Sequence, residues 1–250
     1  MAALSSCTSG AHRRKAAGAP TSQLPPYAGV GKLKNRGAMN AQEVTYPPEV
    51  TALLIIDPYN DFLSEGGKLW SQVKEVAEEI GLLDHMRAVL SAARERGFHV
   101  FIVPHHQTAP GDYETWDHLS PTQQRVLERQ TFAAGSWGAE WHPDFVPQAN
   151  ELVMRQHWAS SGFANTDLDM MLKQHRVQKI VFIGMKANTC VDTTARFGQE
   201  LGYHVTLIRD AIASFSWDEM RATFDINAPA YAHAIFTTDE FLKTLQKAAP

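Results

Sequence analysis

From residue 51 onward, short apolar runs alternate with amphipathic segments. "TALLIID" (51–57) is apolar without interruption until its last residue, the pattern of a strand buried on both faces of a parallel sheet. "FHVFIVP" (98–104), "ELVMR" (151–155), "KIVFIGM" (179–185), "HVTLIRDA" (204–211) and "AHAIFTT" (232–238) predict five more strands. Between the first two, Val73, Val76, Ile80, Leu83, Met86 and Leu90 recur at helical spacing and predict one helix over 73–97, closed by Gly97. Further helices are expected near 121–129, in "NTDLDMMLKQHRV" behind a cap at Asn165 or Thr166, and in "VDTTARFGQELG" ending at Gly202. The 105–150 segment, rich in aromatics, Gly and Pro, reads as a long functional loop.

Six strands alternating with helices predict an α/β fold: a doubly wound, six-stranded, mainly parallel sheet with helices on both faces. If the chain runs outward through three strands and restarts with the fourth beside the first, a ligand crevice opens at the carboxyl ends of strands 1 and 4. Asp57 and Cys190 both fall at that edge.

Composition narrows the function classes. The chain has 250 residues, 44% of them apolar, and a net charge of -4. No apolar run is long enough for a membrane span, and the charge gives no reason to expect a nucleic-acid surface. The two cysteines, Cys7 and Cys190, make no disulfide framework and fit a reducing, cytoplasmic setting. Residues 1–45 differ from the rest: Arg13, Arg14, Lys15, Lys32, Lys34 and Arg36 face only one acid, Glu43, among Ala, Ser, Gly and Pro. They read as a basic, flexible tail before a domain at 46–250, with mitochondrial targeting as an alternative role.

The candidate chemistry centres on "GMKANTCVDTTARFGQELGYHV" (184–205). Cys190 stands where a strand gives way to a helix, so the dipole and free N–H groups would favour a thiolate and could also hold an oxyanion. The alternative is a buried structural cysteine. Asp57, before "PYNDF", either caps local N–H groups or works as an acid/base partner in the crevice; Asp61 reads as a turn or supporting residue. Of the neighbours His105 and His106, one is expected to contact substrate or loop backbone. Metal ligation by the pair is disfavoured because adjacent residues of an extended segment point opposite ways. Tyr113, Trp116, Trp137, Trp141 and Trp158 offer walls for a pocket or a subunit contact. Asn165, Thr166, Asp167 and Asp169 read as capping and support.

"LLIIDPYNDF", "HWASSGFANTDLD", "GMKANTCVDTTARFGQELGYHVTLIRDA" and "YAHAIFTTDEFL" together resemble the isochorismatase-like cysteine hydrolase superfamily over about residues 50–242. The resemblance implies a cofactor-independent hydrolase cleaving a C–N bond of a small amide, lactam or ureide through an acyl-enzyme. Some nicotinamidases of the family hold a metal with an Asp and two His, but Asp57 leads into Pro58 and Tyr59 without that arrangement, so no metal is expected. Cys190 would be the nucleophile and Asp57 its base. The family's usual third member is a lysine, yet no lysine occurs between Lys74 and Lys173. His157 and Arg155 are the candidate replacements; His157 is favoured because histidine can pass a proton, and Lys186 is a third source of positive charge. The resemblance also implies a cis peptide between Lys186 and Ala187, an oxyanion hole at the N–H groups of Ala187 and Cys190, and substrate contacts from His105, Trp116, Trp158 and Phe163. It implies a homodimer or homotetramer as well. Vinyl-ether hydrolysis using Asp57 without the cysteine, and a non-catalytic binding protein on the same fold, are the alternatives.

Overall fold

The computed structural model describes residues 44–247. Its strands are β1 (Thr51–Ile56), β2 (His99–Val103), β3 (Leu152–Val153), β4 (Lys179–Met185), β5 (His204–Ala213) and β6 (Ala234–Phe236). Its α-helices are α1 (Asn60–Leu63), α2 (Trp70–Glu79), α3 (Leu82–Arg96), α4 (Pro121–Arg129), α5 (Leu168–Gln174), α6 (Asp192–Glu200), α7 (Trp217–Arg221) and α8 (Thr238–Lys247). The strands pair in the order β3-β2-β1-β4-β5-β6, every pair parallel. The sheet is therefore wholly parallel and doubly wound. All six residues of β1 are buried, as are six of the seven in β4. A strand buried on both faces has no polar alternation to show, which is why these two read as unbroken apolar runs.

The predicted strands occupy their expected places, but "ELVMR" pairs only at Leu152–Val153. The helix expected over 73–97 is two. Gly81 adopts φ 64°, a left-handed conformation that ends α2 and starts α3 in a new direction. The apolar period survives the break because both helices turn the same kind of face inward: Val73 and Val76, then Leu82, Met86 and Leu90, are buried. Helix α4 begins with a reciprocal capping box between Ser120 and Gln123. Helix α5 starts at Leu168 rather than at an Asn165 or Thr166 cap, although the Thr166 hydroxyl does accept the Leu168 N–H at 3.3 Å. The tail expected over residues 1–45 lies outside the described residues up to residue 43; Tyr46, just beyond, is buried with its hydroxyl 2.9 Å from Thr206 Oγ1.

The order reverses between β1 and β4, so their carboxyl ends form the topological crevice. Gly184 sets the fit there. It pairs with Ile56, has φ 112°, and a Cβ on it would meet the Ile56 carbonyl oxygen at 2.2 Å. Only glycine lets the end of β4 lie this close to the end of β1, and the residues that follow each strand are thereby brought together.

Candidate active site

Asp57 leaves β1 with φ 51°, donates its N–H to the Val103 carbonyl at 3.1 Å, and is fully buried. Across it lies His157, also fully buried. Its backbone extends the sheet by one isolated parallel bridge to His105, with His157 N–H to Pro104 O and His106 N–H to His157 O both at 2.9 Å. The ring makes two bonds: Nδ1 to the Ala159 carbonyl at 2.9 Å and Nε2 to Asp57 Oδ1 at 3.0 Å. A carbonyl only accepts, so Nδ1 carries its hydrogen. The contact at Nε2 then needs a second proton between ring and carboxylate. The pair consequently holds one proton in common, as imidazolium against carboxylate or imidazole against carboxyl. His157 thus meets Asp57 as a lysine would, with a donor and a potential positive charge.

Cys190 completes the group. It sits in a single wide helical turn, Ala187–Val191, that runs directly into α6. One donor atom each from Asp57, His157 and Cys190 lies within 4.8 Å of the others. The other Asp57 oxygen, Oδ2, is buried and has no hydrogen-bond partner among the described residues. Burial and the adjacent Asp57 carboxylate push the thiol pKa well above its ordinary value; Thr189 and the Lys186 backbone N–H offset only part of this. The resting group is a thiol, contrary to the thiolate expected of a helix start. The half charge of a helix dipole does not outweigh a full carboxylate charge at such short range.

A cavity of about 400 Å³ opens over Cys190. Phe62, Phe132 and Phe215 give it apolar walls, and His105, Lys186 and Glu219 line it as well. His105 donates Nδ1–H to the His106 carbonyl at 2.9 Å. Burial, then the neighbouring His157, lower its pKa to about 4, so it is neutral at pH 7. His106 turns the other way, stacking on Trp158 at 3.6 Å between centroids and bonding Asp112 at 2.7 Å.

Other expected site residues lie elsewhere. The Arg155 side chain is 81% exposed and its Nε is 3.8 Å from Asp167, so His157, not Arg155, faces Asp57. Trp116 is 42% exposed, and both it and Trp158 lie in an aromatic cluster outside the cavity lining. Phe163 stacks on Phe197 and Tyr203 behind α6 rather than lining the cavity. The cis peptide joins Met185 to Lys186, one bond before its expected place between Lys186 and Ala187. Lys186 does not supply charge to Asp57: its Nζ donates to both oxygens of Glu219 at 2.9 Å and sits 4.1 Å above the Phe215 ring. Burial raises the Glu219 pKa, but bonds from Ser214, Lys186 and the Phe215 N–H outweigh it and hold the carboxylate below its ordinary range.

Glu219 and the two arginines at the cavity mouth, Arg125 and Arg129, were not expected from the sequence. A trace of Glu219 was there: Ser216 and Glu219 have capping-box spacing, and Ser216 Oγ accepts the Glu219 N–H at 3.3 Å. The Glu219 side chain then reaches beyond the box to Lys186. Asp61 has the supporting role expected, accepting N–H groups of Lys68 at 3.0 Å and Phe132 at 2.7 Å, and so fixing one cavity wall.

The sequence matches the isochorismatase domain over residues 51–239. Ureidoacrylate amidohydrolase RutB of Rhizobium rhizogenes is 26% identical over 219 residues, spanning 84% of this chain and 89% of that protein. RutB of Caulobacter vibrioides is 27% identical over 213 residues, spanning 81% and 94%. Among solved structures, a cysteine hydrolase from Pseudomonas syringae pv. phaseolicola superposes with TM-score 0.67 at 24% identity, covering 82% of this chain and 98% of that one. N-carbamoylsarcosine amidase from Thermoplasma acidophilum gives TM-score 0.57 at 25% identity, covering 76% and 97%.

Proposed function

The chain belongs to the isochorismatase family, and from that membership and the geometry around Cys190 we propose that it hydrolyses a C–N bond of a small amide or ureide bearing a carboxylate. One observation carries the chemistry: Cys190 lines the cavity, and directly behind it a carboxylate oxygen of Asp57 and a ring nitrogen of His157 lie within 4.8 Å of its sulfur and of each other. Asp57 takes the thiol proton as the sulfur attacks the substrate carbonyl. The N–H groups of Ala187 and Cys190 receive the oxyanion. As the tetrahedral intermediate collapses, the C–N bond breaks and the leaving nitrogen takes the proton from Asp57. A water then gives its proton to Asp57 and attacks the thioester, and the departing thiolate recovers that proton. His157 contacts neither reacting atom in this scheme; it holds Asp57 in place and matches its charge. His105, neutral and at the cavity wall, is suited to orient the substrate.

The relatives named as ureidoacrylate amidohydrolases support an amide or ureide substrate. The carboxylate rests on α4, where Thr122, Arg125, Val126 and Arg129 turn one face to the cavity. Neither Arg125 nor Arg129 makes an ion pair among the described residues, and unlike Arg96 and Arg176, which also make none, both line this cavity. Exposed Phe197 on α6, Leu201 just past its end and Met170 on α5 support an oligomer, which light scattering would measure. No helix of the described residues is long and apolar enough to cross a membrane, and the free thiol at Cys190 supports a reducing, cytoplasmic setting.

The test is ammonia release from a panel of N-carbamoyl amino acids and ureido acids beside their uncharged amide analogues. The expected result is turnover of the carboxylated members, abolished in Cys190→Ala. Turnover that survives Cys190→Ala would refute the mechanism, and preference for the uncharged analogues would refute the substrate class.

A further inference from the structure

We propose that Asp57, His157 and Cys190 form a binding site for Zn2+ that switches the enzyme off. The inhibitory consequence rests on reading Cys190 as the nucleophile; the binding itself does not. The three side chains offer one oxygen, one nitrogen and one sulfur, all within 4.8 Å of one another, with Oδ1 and Nε2 already 3.0 Å apart. Donors around a tetrahedral Zn2+ stand ~3.3 to 3.7 Å apart for bonds of ~2.0 to 2.3 Å. To close on the ion, the Oδ1–Nε2 pair opens by a few tenths of an ångström and the wider separations close by up to about 1 Å.

Two further features fit a metal. The His157 ring is anchored through Nδ1–H on the Ala159 carbonyl at 2.9 Å, which aims Nε2 inward and holds its tautomer as ligating histidines are usually held. Asp57 Oδ2 is a buried acceptor without a hydrogen-bond partner among the described residues, on a carboxylate within 4.8 Å of the Cys190 sulfur. Only Cys190 of the three lines the cavity, so the ion reaches the site past its sulfur, and the fourth coordination position faces the cavity. Coordination displaces the thiol proton and the proton shared by His157 and Asp57, removing both the nucleophile and its base from the reaction. An ammonium group in the place of His157 would instead repel the ion. Histidine at this position thus makes the centre a three-donor site for a borderline-soft cation.

The experiment is a Co2+ titration of the full chain in a Cys7→Ser background, which leaves Cys190 as the sole thiol, followed by competition with Zn2+. Thiolate-to-Co2+ charge-transfer absorption reports sulfur ligation and is silent to histidine-only sites such as the stacked His204 and His233. One Co2+ per chain with that band, displaced by Zn2+, is expected. The band is to vanish in Cys190→Ala, and affinity is to fall at least ~10-fold in His157→Lys. Zn2+ should also shield Cys190 from iodoacetamide in the parent protein, a readout that needs no triad variant to fold. Absence of the band and of shielding, or equal affinity in His157→Lys, overturns the site. Binding that leaves hydrolysis unaffected overturns the inhibitory role. Binding in a protein that turns over no substrate of the panel would count against the hydrolase reading alone and leave the metal site standing.

Discussion

His157 is the residue that meets the buried carboxylate of Asp57, and removing it separates the contributions. Asp57 is fully buried, and its bond to His157 Nε2 at 3.0 Å is its one side-chain hydrogen bond to a nitrogen donor among the described residues. Deleting one partner of a buried charged pair typically costs ~3–5 kcal/mol, because the other charge is left without compensation. For a domain of this size, each kcal/mol moves Tm by ~2–4 °C, so His157→Ala should lower Tm by roughly 6–20 °C. Part of that cost disappears if Asp57 takes up a proton in the variant, but a protonated Asp57 cannot accept the thiol proton. Hydrolysis should then fall by ~100- to 10,000-fold, the usual worth of a general base. His157→Gln keeps a neutral donor toward Oδ1 and should lie between, losing ~1–2 kcal/mol, the difference between a charge-assisted and a neutral hydrogen bond. His157→Lys restores the charge and should keep the most activity of the three. Urea denaturation and kcat/KM on the same preparations supply both readouts. A His157→Ala variant within ~1 kcal/mol of the parent that also retains most of its turnover would refute the pairing as described, since both escapes cannot be open together.

The remaining predictions concern other charges of the same pocket. In Asp57→Asn the carboxylate that helps raise the Cys190 pKa is gone, so the pH profile of Cys190 alkylation should move down while hydrolysis drops ~100-fold or more; an unmoved or upward-shifted profile would contradict their proximity. His105 titrates at about 4 when folded against 6.5 for the free group. Its unfolded form therefore binds protons first as pH falls, so stability present above pH 6.5 is lost between there and about pH 4, by ~3 kcal/mol in all. Urea melts across that range should show a shallower acid-side decline in His105→Gln, and parallel curves would refute the assignment. Arg125→Gln and Arg129→Gln should each raise KM for a carboxylated substrate ~1.5- to 5-fold with kcat kept, the worth of an exposed ion pair. Equal effects on an uncharged analogue would exclude charge recognition. Gly184→Ala, with φ 112° and no room for a Cβ against the Ile56 carbonyl, should cost at least ~2–3 kcal/mol by thermal melting.

How far the sequence could be read depended on how local each determinant was. β1 and β4 declared themselves because burial on both faces leaves a continuous apolar run, as it does in most of β2. The break at Gly81 was hidden because the apolar period runs through it on both sides, and only the left-handed φ reveals the turn. Arg155 and His157 could not be separated by pattern, since residues two apart on an extended segment share a face. The sheet separates them by ending. β3 stops at Val153, and the chain rejoins β2 only through the His105–His157 bridge, which carries His157 inward while Arg155 stays in solvent beside Asp167. Arg125, Arg129 and Glu219 were illegible for another reason. Each lies in a segment whose own sequence explains it locally, as an exposed helix face or a capping box, and becomes a cavity residue only when loops far apart in sequence meet.

Cys190 shows why position alone does not decide chemistry. A helix start favours a thiolate, yet Asp57 and burial override it and leave a thiol. That outcome makes the carboxylate more necessary to the proposed reaction, because a buried thiol must lose its proton to something as it attacks. Oδ2 has no partner among the described residues while Oδ1 is held by His157, and His157 offers a hydrogen there only because the Ala159 carbonyl, two residues on, has already claimed the one on Nδ1. A backbone carbonyl thus fixes the ring's tautomer, the tautomer fixes the shared proton, and the shared proton leaves one carboxylate oxygen free to act as a base.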